Sequence, residues 1–291
     1  MDEERLSRDE VALVADRLWG ELVERLPASG LTRIRGLLDV LARRLEPQLH
    51  PKQGMRERWY MPDLPSSAWL DRAAFEPLAS SLEQLYPELR RELVEAESQG
   101  AFRPYGYAAD APEVRPDWSP AGWDEIRLWE DLQPTTSVLR MPVAARALRA
   151  IVETTSLVNH VAFLSMKPGT ELPVHCDRTN WYVSIHMGIE VPPGCALRVA
   201  DEERRWEDGE CCFFDNSFAH EAWNRGDSRR VIFAVYLAHP LTTEFERQAL
   251  RHLHIRYQSF VRLGEEATLA WARSERRLES AGPSPSPGGS Q

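Results

Sequence analysis

The sequence predicts an α+β protein in which an antiparallel β-sandwich or barrel lies between N-terminal and C-terminal helices. Apolar residues recur at helical spacing through the first hundred residues, and this spacing returns after Pro240. From His160 onward, short segments rich in Val, Ile, Phe and Tyr alternate with turn signals. The predicted regions are 1–100 (helical), 101–240 (the β domain), 241–281 (helical) and 282–291 (a disordered tail rich in Pro, Ser and Gly).

The N-terminal region contains three predicted helices. Ser7 and Glu10 have the spacing of a capping box, in which two side chains satisfy backbone N–H groups at a helix start. The apolar residues that follow recur at helical period, as they do over Thr32–Leu45 and Ala79–Glu97. Such stripes ordinarily pack into a core, with partner binding as the alternative. Substrate recognition, dimerisation and shielding of the β domain are all compatible with this region.

The middle of the chain has the character of an antiparallel β protein. Residues 99–122, rich in Gly, Pro and aromatic residues, predict an ordered connecting loop, and Pro142–Thr154 predicts a helix. A final helical pattern extends to about Ser274. The turn signals that separate the β segments are Pro168-Gly169, Pro192-Pro193-Gly194, Asp208-Gly209 and Gly226-Asp227.

Charge and composition exclude several classes of protein. The 291 residues include 35 Lys+Arg and 45 Asp+Glu, a net charge of −10, which disfavours binding to a nucleic-acid backbone. The longest apolar run, Val231–Ala238, is far shorter than a membrane span, and the acidic N-terminus does not resemble a secretory signal. Four cysteines without a CxxC pair indicate free thiols and a cytoplasmic protein.

One pattern in the β domain predicts a metal site. His175 and Asp177 are two positions apart, so on a strand they point to the same side, and His220 follows 43 residues after Asp177. Two imidazoles and one carboxylate leave coordination positions open, as in non-haem Fe(II) oxygenases. Arg230, ten residues after His220, can hold a terminal carboxylate bidentately. The four residues predict an Fe(II) centre with a 2-oxoglutarate site and O₂ as the second co-substrate.

A purely structural role for these residues is the alternative. His175 and His220 could be hydrogen-bonded core residues, Asp177 a turn residue and Arg230 a surface cation; their combination on one antiparallel framework favours the metal site. A zinc-protease HExxH motif is excluded, because Asn224 stands where the second histidine is required. The sequence contains no dinucleotide-binding, P-loop or serine-hydrolase motif.

Several stretches of the chain resemble the aspartyl/asparaginyl β-hydroxylase family. The resemblance is dense over about 159–240 and fainter over about 55–158. The stretches that carry it are Phe163–Thr170, Val174–Asn180, His186–Ile189, Trp206–Glu210, Phe214–Trp223, Arg230–Phe233 and His239-Pro240.

The resemblance implies an Fe(II)- and 2-oxoglutarate-dependent dioxygenase on a double-stranded β-helix, the jelly-roll of cupins. By position, His175 and His220 match the family's metal-binding histidines. Arg230 matches the arginine that pairs with the distal carboxylate of 2-oxoglutarate, and His186 a histidine that contacts a co-substrate carboxylate. Met166 lies in the block that lines the same pocket.

The chain departs from the family pattern at two positions. The vertebrate aspartyl hydroxylases carry Gly where this chain has Asp177, so the complete set of two histidines and one carboxylate is retained here. At Ser184 the family often has a second arginine for the co-substrate, and a hydroxyl supplies a hydrogen bond but no charge. Arg178, Thr179 and Asn180 are neighbouring polar candidates for that role.

The predicted reaction is hydroxylation of an unactivated carbon, with the β-carbon of an aspartyl- or asparaginyl-type substrate as the first choice. That substrate is a peptide, a protein or a small biosynthetic intermediate. Trp181, Tyr182, Trp223 and Tyr236 are expected to pack within the strands, with a role in the wall of the substrate pocket as the alternative. The alternative function is a non-catalytic jelly-roll that binds a metal or ligand as a sensor or scaffold.

Overall fold

A computed structural model describes residues 6–54, 58–105 and 122–274. The helices of these residues include a long C-terminal one with a break at Gly264, whose backbone has φ 79° and ψ 176°. The α-helices are α1 (Arg8–Val23), α2 (Thr32–Leu41), α3 (Leu78–Ser98), α4 (Pro142–Thr154) and α5 (Glu244–Ser274). Short 3₁₀ turns occupy Ala28–Gly30, Arg72–Phe75 and Thr136–Arg140.

The strands are β1 (Arg103–Pro104), β2 (Trp123–Glu130), β3 (Gln133–Pro134), β4 (Val158–Met166), β5 (Glu171–His175), β6 (Tyr182–Glu190), β7 (Cys195–Val199), β8 (Glu202–Arg204), β9 (Cys211–Phe214), β10 (His220–Asn224) and β11 (Arg230–Ala238). A large sheet has the order β1-β2-β4-β11-β6-β9, with β3 beside β2, and a small sheet has the order β5-β10-β7-β8.

The path of the chain between the two sheets identifies the fold. All paired strands are antiparallel. From β4 onward the chain crosses repeatedly: β4, β6, β9 and β11 belong to the large sheet, whereas β5, β7, β8 and β10 belong to the small one. Two sheets wound in this way form a double-stranded β-helix, which confirms the predicted jelly-roll.

Alternate residues of β11 show that the large sheet is buried on both faces. Val231, Phe233 and Val235 pack in one cluster with α3 and α4, whereas Ile232 and Ala234 pack with apolar residues of the small sheet. All five are at most 1% exposed. Burial of a Val, Ile or Phe side chain contributes about 1.5–3 kcal/mol. The large sheet is therefore fixed between a helical layer and the small sheet.

A separate apolar cluster joins the two ends of the chain. Residues of α1 and α2 pack with residues of α5 and with Trp59 and Trp181. Buried Glu21 of α1 accepts a hydrogen bond of 2.9 Å from Arg256 and lies 2.7 Å from a ring nitrogen of His252, both on α5. These contacts fix α5 in place beside the jelly-roll.

The predicted helices are confirmed, although α2 ends earlier than predicted. α1 begins with the predicted capping box, because the Glu10 N–H donates to Ser7 Oγ at 3.3 Å and the Ser7 N–H donates to the Glu10 carboxylate at 2.9 Å. α2 ends at Leu41 instead of Leu45, and Arg43 adopts a φ of 57°, which a right-handed helix does not continue through. Among the described helices, none is both long and apolar enough to cross a membrane.

The prediction that strands begin only at His160 was wrong, because β2 precedes this residue and pairs with β4. Its inward-facing Glu125 is 2% exposed and bonded to Arg127. A charged pair on the inner face conceals the apolar alternation that reveals a strand. Of the predicted loop 99–122, residues 106–121 lie outside the described residues, as does the tail 282–291. The regional boundaries stay predictions.

Candidate metal centre

Two strands of the small sheet bring the predicted histidines together. His175 ends β5 and His220 begins β10, and the two are direct partners in the antiparallel pairing. Their ring centroids lie 4.1 Å apart. His220 is 7% exposed, whereas 25% of the His175 side chain is exposed. The pair is therefore enclosed on the His220 side and accessible on the His175 side.

Both imidazole rings are oriented by the same kind of hydrogen bond. Nδ1 of His175 lies 2.8 Å from the carbonyl oxygen of Pro173, and Nδ1 of His220 lies 2.8 Å from that of Phe218. A carbonyl only accepts, so each Nδ1 carries the proton and each Nε2 keeps its lone pair. Burial lowers the pKa of His220, which favours this neutral form. Both rings therefore present Nε2 as a metal ligand.

Asp177 completes the group from a loop. It lies beyond the end of β5, so the expected placement of His175 and Asp177 on one strand face was wrong. Its Oδ1 lies 3.8 Å from Nε2 of His175. One ligand atom from each of His175, Asp177 and His220 lies within 4.8 Å of the other two. Ligands that are each about 2 Å from one ion lie at most about 4 Å apart, so a small approach of these atoms would bring them to one ion.

Asn216 orients the carboxylate of Asp177. This residue was not among the predicted site residues. Its amide donates a hydrogen bond of 2.9 Å to Oδ2 of Asp177, which leaves Oδ1 directed toward the histidines. Its own Oδ1 accepts a hydrogen bond of 2.9 Å from the hydroxyl of Ser184. Both Ser184 and Asn216 are buried. The sequence signal that could have identified Asn216 is its position within Phe214–Trp223, one of the stretches that resemble the family.

Arg230 is buried near the metal group, the name used here for His175, Asp177 and His220, and no carboxylate of the described residues balances its charge. It is 1% exposed, and its guanidinium lies 4.7 Å from the ring centroid of Trp206. Burial lowers its pKa to about 10, so it stays charged at neutral pH. Among the described residues it has no ion pair with a carboxylate, and its Nε has no hydrogen-bond partner. Because an unpaired buried charge is costly, an anion from outside the chain is its natural complement.

His186 lies in the same interior, near both Arg230 and His220. Its ring is 6.2 Å from that of Trp206 and 4.9 Å from that of Phe214. Within the described part of the chain, neither ring nitrogen has a hydrogen-bond partner. Burial lowers the pKa of His186 well below its usual value, and the charges of Arg230 and His220 lower it further. This neutral ring can donate to an anion held at Arg230.

The two remaining predicted co-substrate residues have different surroundings. Met166 is fully buried and is the direct strand partner of Arg230. It therefore lies beside the proposed anion site at Arg230 and His186, called here the anion pocket. Ser184 is two residues before His186 on β6, and its hydroxyl is committed to Asn216. The structure therefore connects Ser184 to the metal group through Asn216.

A cavity of about 300 Å³ opens next to Asp177. Three of the four aromatic residues for which a pocket role was the alternative line it: Trp181, Tyr182 and Tyr236. Trp223 is not among the lining residues, and its ring lies under the guanidinium groups of Arg198 and Arg225 at 5.6 and 4.5 Å.

The three polar neighbours of Asp177 also separate into two groups. Arg178 and Thr179 line the cavity. Asn180 instead bonds the backbone of Met61 in both directions, donating to its carbonyl and accepting from its N–H, each at 2.8 Å. Asn180 therefore fixes the segment that carries Met61, and its amide is not directed to a ligand.

Comparison with known sequences places the chain in a family. The sequence profile described as "Aspartyl/Asparaginyl beta-hydroxylase" matches residues 83–240, more than half of the chain. The chain belongs to the aspartyl/asparaginyl β-hydroxylase family. The match contains all of the predicted metal ligands together with Arg230, His186 and Asn216. The match ends before α5 begins, and it begins within α3, after α1 and α2.

Individual relatives of the family cover different shares of the chain. The human aspartate beta-hydroxylase domain-containing protein 1 is 33% identical over 66% of this chain and 49% of its own length. The mouse aspartyl/asparaginyl beta-hydroxylase is 30% identical over 62% of this chain and 24% of its own length. The chain thus spans about half, or less, of these curated relatives. Among solved structures, a Pseudomonas putida prolyl-4-hydroxylase is 19% identical, with a TM-score of 0.38 over 59% of this chain and 93% of that chain.

Proposed function

We propose that the chain is an Fe(II)- and 2-oxoglutarate-dependent dioxygenase that hydroxylates an unactivated carbon. The observation that carries the proposal is the combination of three convergent ligands with the buried, unmatched charge of Arg230. A metal site alone is also compatible with a sensor. A metal site with a prepared anion pocket beside it is suited to a co-substrate that binds through carboxylates.

The donor set fits Fe(II). His175, His220 and Asp177 would hold the ion through two neutral imidazoles and one carboxylate, which leaves positions open for co-substrate and O₂. The carbonyls of Pro173 and Phe218 keep the imidazoles in the required tautomer.

The anion pocket fits the distal carboxylate of 2-oxoglutarate. Arg230 presents a planar fork of donors, and Trp206 covers one face of the guanidinium, which fixes its orientation. His186 lies near both Arg230 and His220, so it can donate a hydrogen bond to a co-substrate held there. Met166 supplies an apolar wall beside Arg230. The assignment of Ser184 to the co-substrate stays a prediction, and its bond to Asn216 supports an indirect role.

Iron with bound 2-oxoglutarate and O₂ supplies an oxidant strong enough to attack an unactivated C–H bond. The chain's own contribution is to orient the substrate and to exclude water. Tyr236 and Asn216 lie where the cavity meets Asp177, so they border the place where a target carbon has to be held. Family membership supports the β-carbon of an aspartyl- or asparaginyl-type substrate, carried by a peptide, a protein or a small molecule.

The proposal also includes a cellular location and the exclusion of nucleic acid as a substrate. Free thiols at Cys176, Cys195, Cys211 and Cys212 support a cytoplasmic location. The net charge of −10 supports a substrate other than nucleic acid.

Turnover of 2-oxoglutarate tests the proposed function. Anaerobic titration with Fe(II) and 2-oxoglutarate is followed by aerobic reaction with peptide and amino-acid libraries. Succinate release and a product heavier by one oxygen atom are expected. Binding of Fe(II) and 2-oxoglutarate without succinate in any reaction would instead support the non-catalytic sensor.

A further inference from the structure

The cavity beside Asp177 extends beyond the family domain to the C-terminal helix. At one end it is lined by Asp177, Asn216 and Tyr236, which border the metal centre. At the other end, four residues of α5 line it, at positions that share one helical face: Leu253, His254, Tyr257 and Gln258. The family profile ends at residue 240, so this wall lies outside the residues that the profile matches.

The side walls of the cavity are aromatic and fix one another. Trp59 makes edge-to-face contacts with Trp181, at 6.2 Å and 74°, and with Tyr257, at 5.6 Å and 81°. Trp59 and Trp181 are 8% and 5% exposed. Such ring pairs contribute about 0.5–1.5 kcal/mol beyond their burial. Three separate elements therefore form one rigid aromatic enclosure.

Arg178, Tyr257 and Gln258, at the α5 end of the cavity, already have polar partners. The guanidinium of Arg178 donates to the hydroxyl of Tyr257 and lies over its ring at 5.4 Å. Asp131 lies 3.5 Å from Nε2 of His254 and accepts a hydrogen bond of 3.1 Å from Gln258. The cavity therefore favours an uncharged guest over an ionised one.

We propose that this cavity, called here the aromatic pocket, binds an uncharged aromatic or bulky apolar group next to the carbon that is oxidised. The inference rests on the proposed function and narrows its substrate class. Its volume of about 300 Å³ is at the lower end of the range for ligand pockets. It accommodates one side chain of a peptide or the body of a small molecule, and α5 sets the size limit.

Equilibrium binding to the full chain tests the aromatic pocket without catalysis. The probes are N-acetyl-phenylalanine amide and N-acetyl-alanine amide, measured by ligand-observed NMR on the metal-free protein. The phenyl probe is expected to bind at least about tenfold more tightly, because it buries one aromatic ring more. Equal affinities for the two probes would overturn the proposal.

Two matched substitutions on α5 locate the binding site. Leu253→Trp fills the aromatic pocket and is expected to abolish the preference, whereas Ile255→Trp, at a position 49% exposed, should preserve it. Should Leu253→Trp fail to fold, Tyr257→Ala enlarges the pocket and should shift the preference toward N-acetyl-tryptophan amide. A preference that neither Leu253→Trp nor Tyr257→Ala alters would place the binding site elsewhere and refute the assignment.

The two proposals fail in different ways. Loss of Fe(II) binding and of 2-oxoglutarate turnover, with the probe preference intact, would contradict the proposed function and leave the aromatic pocket standing. Turnover of 2-oxoglutarate without any probe preference would contradict the aromatic pocket alone.

Discussion

Asn216 holds Asp177 at two points. Its side-chain amide donates to the carboxylate at 2.9 Å, and its backbone carbonyl accepts from the Asp177 N–H at 2.8 Å. A loop residue fixed at both its backbone and its carboxylate has little freedom to turn away from the histidines. Asn216 is therefore a positioning residue for the metal centre, and it acts on the ion through Asp177.

Replacement of Asn216 is expected to weaken metal binding. Asn216→Ala should lower Fe(II) affinity by about 10-fold or more, as loss of outer hydrogen bonds to a ligand commonly does. Ser184→Ala, which removes only the bond to Asn216, should have a smaller effect. Anaerobic Fe(II) titration measures both. Equal Fe(II) affinity in Asn216→Ala and the unaltered chain would show that the Asp177 carboxylate keeps its orientation without Asn216.

Asp177→Gly tests whether the carboxylate is a ligand. Loss of its charge and oxygen should reduce Fe(II) affinity by about 10-fold or more and sharply reduce succinate formation. Since a ligating carboxylate has to be ionised, Fe(II) binding to the unaltered chain should also weaken at low pH and release protons. Wild-type Fe(II) affinity with full turnover at limiting iron would define a centre of two histidines only.

His220→Ala should remove Fe(II) binding and turnover together. The enclosed His220 supplies one of three ligands, and two ligands from the accessible side cannot retain the ion equally well. The expected stoichiometry falls from one Fe(II) per chain toward zero. His252→Gln is the control, because His252 pairs with Glu21 away from the metal group. Unchanged stoichiometry in His220→Ala would exclude His220 as a ligand.

Arg230→Ala should weaken 2-oxoglutarate and spare Fe(II). Loss of a charge-assisted bidentate contact costs on the order of 2–4 kcal/mol, or about 30- to 1000-fold in affinity. Arg230→Lys should recover only part, because an ammonium lacks the planar fork. Titration of each Fe(II)-loaded variant with 2-oxoglutarate gives the comparison. An unaltered affinity in Arg230→Ala would move the anchor to another cation, with Arg178 and Arg198 the next to replace.

Asp215 should make the metal-free protein less stable as pH rises. It is fully buried, and burial raises its pKa from 3.8 to about 7, although hydrogen bonds from Ser217 oppose the shift. A raised pKa means that the folded state binds the proton more tightly. The stabilisation is therefore complete below about pH 4 and lost as the pH approaches 7, with a slope of at most about 1.4 kcal/mol per pH unit.

Urea unfolding at several pH values, with a chelator present, measures this dependence. Asp215→Asn removes the titrating group and should flatten the curve between about pH 4 and 7. The same slope in Asp215→Asn and the unaltered chain would assign the pH dependence to another group.

Residues that act through strand pairing were the predictable part of the site. His175 and His220 are both typical metal ligands, and antiparallel pairing brings their strands together. Their proximity could therefore be predicted from the sequence. Strand alternation also separates Trp223 from the metal centre, because a residue three positions after His220 lies on the other face of β10.

Residues that act through loops and distant packing were not predictable. Asp177 is directed by the amide of Asn216, and one sequence does not specify the conformation of such a loop. Trp59 and Tyr257 are almost 200 positions apart and meet only because α5 packs with α1 and α2. Helical periodicity predicted that α5 exists but carried no information on which element it would face.

The paired hydrogen bonds from Pro173 and Phe218 have a consequence for how the protein acquires its ion. Because both imidazoles are already held with Nε2 free, ion binding is not required to orient them, and we expect the ion to bind the folded chain. Removal by a chelator should then be reversible, with the folded chain retained. A preformed nitrogen and oxygen site binds several divalent ions in an order set by their chemistry, so cellular supply decides which one occupies it.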